Sequence, residues 1–201
     1  SKFLSVVSSL MIAIDSDEND ISETLIKAGA DVNAKSIEGI TCLMIAAAEN
    51  KNTIVKILLN NNVRINDRDN KGRTAIMYAV HNDHLRVVKT FIRHNPNNRD
   101  VFNLRDYDQL FSPLMIAAQN GYSSIVEYFI ENQVYLDDIT RKGRTALMLA
   151  AQKGHIKVVK KLVKAGAKCK IKDYQGKTAY GLAVESGHTD VAEYLKENRR
   201  I

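Results

Sequence analysis

The stretch "GRTALMLAAQKGHIKVVKKLVKAGAK", residues 143–168, holds two short helical patterns bounded by glycines. Thr145 is placed to cap the first, because its hydroxyl accepts from a backbone N–H that has no partner inside the helix. Ala146, Leu147, Leu149, Ala150 and Ala151 make that helix small-sided, and Gly154 supplies the permissive backbone of a helix stop. In the second helix Ile156, Val158, Val159, Leu162 and Val163 fall on one side, with Lys157, Lys160, Lys161 and Lys164 on the other. Gly166 ends it. The residues that follow, "KCKIKDYQGK", carry a glycine before the next threonine and read as an extended turn, a finger.

The same unit recurs along the chain. "TALM" aligns with "SSLM", "TCLM", "TAIM" and "SPLM", and the hydroxyl marker falls at Ser8, Thr41, Thr74, Ser112, Thr145 and Thr178. The steps between markers are equal except the one from Thr74 to Ser112, which is longer by five. A period of about 33, with two helices and a turn per unit, predicts a solenoid in which each unit buries its apolar face only against its neighbours. The units run approximately 1–35, 36–68, 69–105, 106–139, 140–172 and 173–201, in one domain spanning 1–201. The long step falls over "RHNPNNRDVFNLRDYDQLF", where Pro96 predicts an enlarged loop between the third and fourth units.

"DNKGRTAIMYAVHNDHLRVVKTFI" (69–92), the opening stretch, and "AGADVNAKSIEGITCL" (28–43) resemble the ankyrin repeat, with its D-x-x-G-x-T-P-L-H-x-A-A-x-x-G-H core and G-A-D-V-N-A junction. The resemblance covers nearly the whole chain. It implies an all-α solenoid of antiparallel helix pairs with β-turn fingers, and a binding rather than a catalytic role. It also implies that His84, His155 and His188, in the Gly-His slot, are structural.

The chain departs from that pattern where the family has its tetrad histidine. Met11, Met44, Met77, Met115 and Met148, all five methionines, occupy that slot, and Gly181 takes it in the last unit. A thioether metal ladder is excluded by spacing. Stacked helices lie roughly 8–10 Å apart, whereas soft-metal bonds to sulfur are about 2.3 Å. The expectation is adaptable packing between layers. The last unit, with Gly181 and the polar tail "VAEYLKENRRI", reads as a terminal cap. Phe3, Leu4, Val6 and Val7 at the start read as a capping helix or the remnant of a further repeat.

No run of about 18 apolar residues predicts a membrane span. Cys42 and Cys169, three layers apart, are expected as free thiols, which fits a reducing compartment, cytoplasm or nucleus. The formal charge of +6 conceals a gradient: residues 140–201 hold 15 Lys/Arg against 5 Asp/Glu, leaving 14 against 18 for the rest. Residues 140–172 carry 11 basic side chains and no acidic one. Such asymmetry is an argument about partners, not fold.

Ankyrin arrays bind with the concave face, which the resemblance maps onto fingertips and the exposed ends of first helices. Those positions include Lys71, Arg73, Phe111, Arg141, Lys142, Arg144, Lys153, Tyr174 and Lys177, the candidate partner-binding residues. Their charges are expected to be exposed, so that reversing Arg141, Arg144 and Lys153 leaves stability nearly unchanged. The lysine stripe of 157–164 is expected on the opposite, solvated face.

The leading functional expectation is a monomeric protein-interaction scaffold gripping an acidic partner protein or peptide. The alternative is a binder of nucleic acid or a phosphorylated ligand, served by phosphate pairing and by stacking on Tyr174. No nucleophile–base pairing, metal-ligand spacing or phosphate loop is present in the sequence, so no catalytic residue, cofactor or metal is expected.

Overall fold

In a computed structural model, which describes residues 8–95 and 102–198, twelve α-helices are arranged as six successive pairs. The chain divides into two compact units, residues 1–101 and 102–201.

The first unit holds α1 (Ser9–Asp15), α2 (Asn19–Lys27), α3 (Cys42–Ala48), α4 (Asn52–Leu59), α5 (Ala75–His81) and α6 (Leu85–His94). First helices stack on first helices, α1 on α3 and α3 on α5, while α2 packs on α4 and α4 on α6. The second unit repeats the plan with α7 (Pro113–Asn120), α8 (Ser123–Glu131), α9 (Ala146–Gln152), α10 (Ile156–Lys164), α11 (Ala179–Glu185) and α12 (Thr189–Glu197). There α9 lies between α7 and α11, and α10 between α8 and α12.

The hydroxyl marker is the helix start, as expected. Ser8, Thr41, Ser112, Thr145 and Thr178 each accept from the backbone N–H of the third residue on, which belongs to Met11, Met44, Met115, Met148 and Gly181. Thr74 is the exception. It stands at the same N-cap position with an extended backbone, yet its buried Oγ1 has no hydrogen-bond partner among the described residues.

The turn between paired helices needs one left-handed residue. In the second unit it is Gly121, Gly154 or Gly187, and in the first it is Asp17, Asn50 or Asp83, small polar residues that tolerate that region. Gly121 and Gly154 have a second reason to lack a side chain. A Cβ there would stand 2.7 Å and 2.5 Å from Nδ1 of His155 and His188 in the next repeat. Those imidazoles, with His84, bond through Nε2 to the backbone oxygens of Gln119, Gln152 and Ala48, which assigns the Gly-His slot to holding successive repeats together.

All five methionines are buried, each with 1% of its surface exposed. They sit among Leu, Ile and Ala of the first-helix layer, which supports the packing account of that slot. Cys42 and Cys169 are free and buried, and burial pushes the Cys42 thiol up to about 12.

The extra residues of the long step are split between two places. Asn33, Asn103 and Asp137 are equivalent, since each side chain accepts a backbone N–H of the following repeat, from Arg64, Tyr135 and Lys168. The offset from Ser8 to Asn33 equals that from Ser112 to Asp137, whereas the offset from Thr74 to Asn103 is longer by four. The offset from Asn33 to Thr41 equals that from Asp137 to Thr145, whereas the offset from Asn103 to Ser112 is longer by one. Most of the insertion therefore enters before Asn103, and a single residue enters the finger that follows, where Leu110 adopts the left-handed backbone (φ 59). Pro96, the apolar Phe3, Leu4, Val6 and Val7, and the end of the polar tail from Arg199 onward lie outside the described residues.

Candidate functional site

Each finger is folded by one acceptor side chain. Asp69 Oδ1 accepts from the backbone N–H groups of Lys71 and Arg73, at 2.9 and 2.8 Å. Asp173 Oδ1 does the same for Gln175 and Lys177, both at 2.9 Å. Thr140 and Ser36 play this part with hydroxyls, and Asp106 spans the longer finger by accepting from Gln109 and Phe111. Neighbouring fingers are joined backbone to backbone, Asn70 N–H to Glu38 O in the first unit, and Arg141 to Gln109 and Tyr174 to Lys142 in the second.

The second unit carries the densest part of the mapped surface. Arg141 is exposed, and its guanidinium reaches back to the backbone oxygens of Asp108 and Tyr107 at 2.5 and 2.6 Å. Lys142 and Lys153 are exposed, and Tyr174 has 73% of its surface open. Lys177 is half-buried and pairs with Glu185 at 2.7 Å. Phe111 is half-buried beside a hollow of about 510 Å³, which Lys142, Leu149, Gln152 and Lys153 also line. Among the described residues no carboxylate lines that hollow.

Besides Lys177, two more of the candidate cations are held by carboxylates. Arg144 keeps only 15% of its side chain exposed, and its Nε meets Oδ2 of Asp173, itself 1% exposed, at 3.1 Å. Its Nη1 donates to Gln152 Oε1 at 2.8 Å. Burial raises the Asp173 carboxyl, but backbone N–H bonds from Lys177 and Gln175 and the Arg144 guanidinium outweigh it and hold the group below the usual carboxylate value. The expectation that reversing Arg144 leaves stability unchanged is therefore corrected, because a Glu there would face a buried carboxylate. In the first unit Arg73 is likewise held by Asp69 Oδ2 at 2.7 Å and lies over the Tyr78 ring. Tyr78 donates to the same Asp69 oxygen; burial, then that bond, raises its phenol. Lys71 projects from that finger, exposed.

Reading each unit singly overlooked Asp173, because it lies beyond the repeat boundary from Arg144. Its signal was the D-x-x-G spacing itself. The carboxylate that opens that motif is the finger's acceptor and is left with one oxygen for a cation.

A family model of ankyrin repeats matches the chain in three overlapping copies, residues 10–101, 92–173 and 114–201. The chain belongs to the ankyrin repeat family. Its fold is an all-α ankyrin-repeat solenoid, and ankyrin repeats are in general protein–protein interaction modules, typically without catalysis of their own. A comparison with curated proteins finds no match. Among the described residues no helix is long and apolar enough to cross a membrane.

Proposed function

We propose that this ankyrin domain is a non-catalytic, monomeric interaction module whose second unit grips an acidic segment of a partner protein across the fingers, in a reducing compartment. The observation that carries the proposal is the hollow whose lining presents Lys142 and Lys153 beside Leu149 and Phe111 without a carboxylate. Arg141 and Tyr174 extend the surface along the fingertips, and Lys177 borders it. Buried Asp173 is already neutralised by Arg144, so it does not cancel the exposed lysines. Arg144 then acts by holding two fingers in place; in the first unit the corresponding finger presents Lys71, beside an Arg73 held by Asp69.

Charge reversal at Lys142 and Lys153 tests it. Both side chains are exposed and unpaired among the described residues, so the double change should shift stability by no more than about 0.5 kcal/mol. Binding of a protein captured by the parent domain should weaken at least about tenfold, because attraction is replaced by repulsion. Unchanged affinity would refute the assignment. A mixed RNA oligomer, titrated at low and physiological salt, discriminates the nucleic-acid reading, which requires salt-steep binding of RNA by the parent and its loss in the variant.

A further inference from the structure

On the second-helix side of the first unit, α4 and α6 border a hollow of about 530 Å³. Lys56, Arg86, Lys89 and Arg93 line it, and no carboxylate among the described residues does. The side chains of Lys56, Arg86 and Arg93 form no ion pair among the described residues. Where α8 meets α10 in the second unit the charge is balanced instead. Glu127 and Glu131 on α8 hold the positions that Lys56 and Asn60 hold on α4, and Lys161 pairs with Glu127 at 2.7 Å. With those two carboxylates replaced by a lysine and an amide, Lys56, Arg86 and Arg93 are left to find counter-charges in a ligand.

The floor of the hollow supplies a second, independent observation. Asn52 lines it with only 7% of its surface exposed. Its Oδ1 accepts from Thr90 Oγ1 at 2.7 Å, closer than that hydroxyl's other acceptor, Arg86 O, at 3.2 Å. Nothing among the described residues accepts from Asn52 Nδ2. A donor amide more than nine-tenths buried, open to a hollow ringed by cations, is matched by a ligand with oxygen acceptors.

We propose that this hollow binds a compact ligand bearing two or more phosphate groups. Phosphate oxygens only accept, and the arginine fork suits them. One phosphate monoester brings about −1.5 to −2 charges, too few to balance Lys56, Arg86 and Arg93. The volume falls within the range of small-ligand sites. Among the described residues His94 is the one aromatic ring of the lining, which favours a small polyphosphate over a strand whose successive bases need stacking platforms.

Calorimetric titration with inositol hexakisphosphate and with pyrophosphate tests this, alongside sedimentation with phosphatidylcholine vesicles that contain or lack a phosphatidylinositol bisphosphate. Asn52→Asp is the sharpest variant. It keeps an oxygen for Thr90 and puts an acid in the first turn of α4, where the helix dipole favours one, yet it replaces the donor with a negative charge. Affinity should fall at least about tenfold in Asn52→Asp and in Arg86→Glu/Arg93→Glu. It should stay within about twofold in Lys157→Glu/Lys164→Glu, an equal charge change on α10. Saturable binding of a soluble polyphosphate that is lost in the first two variants supports a soluble ligand. Binding to the vesicles alone, lost in the same variants, assigns the phosphates to a lipid headgroup. Absence of binding in every arm, or an equal loss in the α10 control, overturns the proposal.

Discussion

Replacing Asp173 by Asn removes one charge while keeping the shape of the side chain, and it tests the idea that the fingers of the second unit are held by a buried acid. The amide oxygen can still accept from Gln175 and Lys177, as Oδ1 does at 2.9 Å. The other oxygen becomes an NH2 group facing the Arg144 guanidinium, so the 3.1 Å charge-assisted bond is lost and two donors confront each other. The pair is 15% and 1% exposed, so solvent screens little of it. The expected loss is that of a hydrogen bond to a charged group, about 1.5–3 kcal/mol. The sign of the pH dependence follows from the depressed pKa. A carboxyl whose folded value lies below its unfolded one, about 3.9, stabilises the fold fully above that value and loses the contribution as pH falls through the folded value. Urea unfolding of parent and variant, followed by circular dichroism at neutral pH and again below the ordinary carboxylate range, should show a gap that narrows in acid. A neutral-pH gap below about 0.5 kcal/mol, or one that persists unchanged in acid, would refute the account of this finger.

The N-cap positions give a paired prediction: Thr145→Val should cost about 1 kcal/mol by losing its bond to Met148 N–H, while Thr74→Val, which removes a buried hydroxyl without a partner, should leave stability unchanged or raise it in the same denaturant assay. Met148→Ala should cost about 2–5 kcal/mol, the range for truncating a buried methionine; a loss below about 0.5 kcal/mol would mean the slot is not packed.

What the sequence made legible was local or periodic. The hydroxyl caps, the methionine slot and the structural histidines follow from residue type and a fixed spacing, and each recurs often enough for the register to be plain. Thr74 shows the limit of this. Its letter matches the other caps, but the Met77 N–H that its hydroxyl would cap bonds instead to Thr74's own backbone oxygen at 3.0 Å. Arg144 shows a second limit, because its status as a surface charge is decided by Asp173 across the repeat boundary. The cluster of Lys56, Arg86 and Arg93 was overlooked for a related reason. The charge gradient along the chain points to the lysine-rich fifth repeat, whereas these cations come from two repeats and become neighbours only when α4 packs on α6. The added residues before Asn103 and in the finger after it likewise merged into one long step until hydrogen bonds marked the equivalent positions.

The proposed partner surface is most directly tested by lysine acylation with mass-spectrometric readout, comparing the free domain with its complex with a captured partner. Lys142, Lys153 and Lys177 should become protected in the complex, while Lys157, Lys160 and Lys164 on α10 react as they do in the free domain. Protection of the α10 lysines with continued reactivity at Lys142 and Lys153 would contradict the assignment.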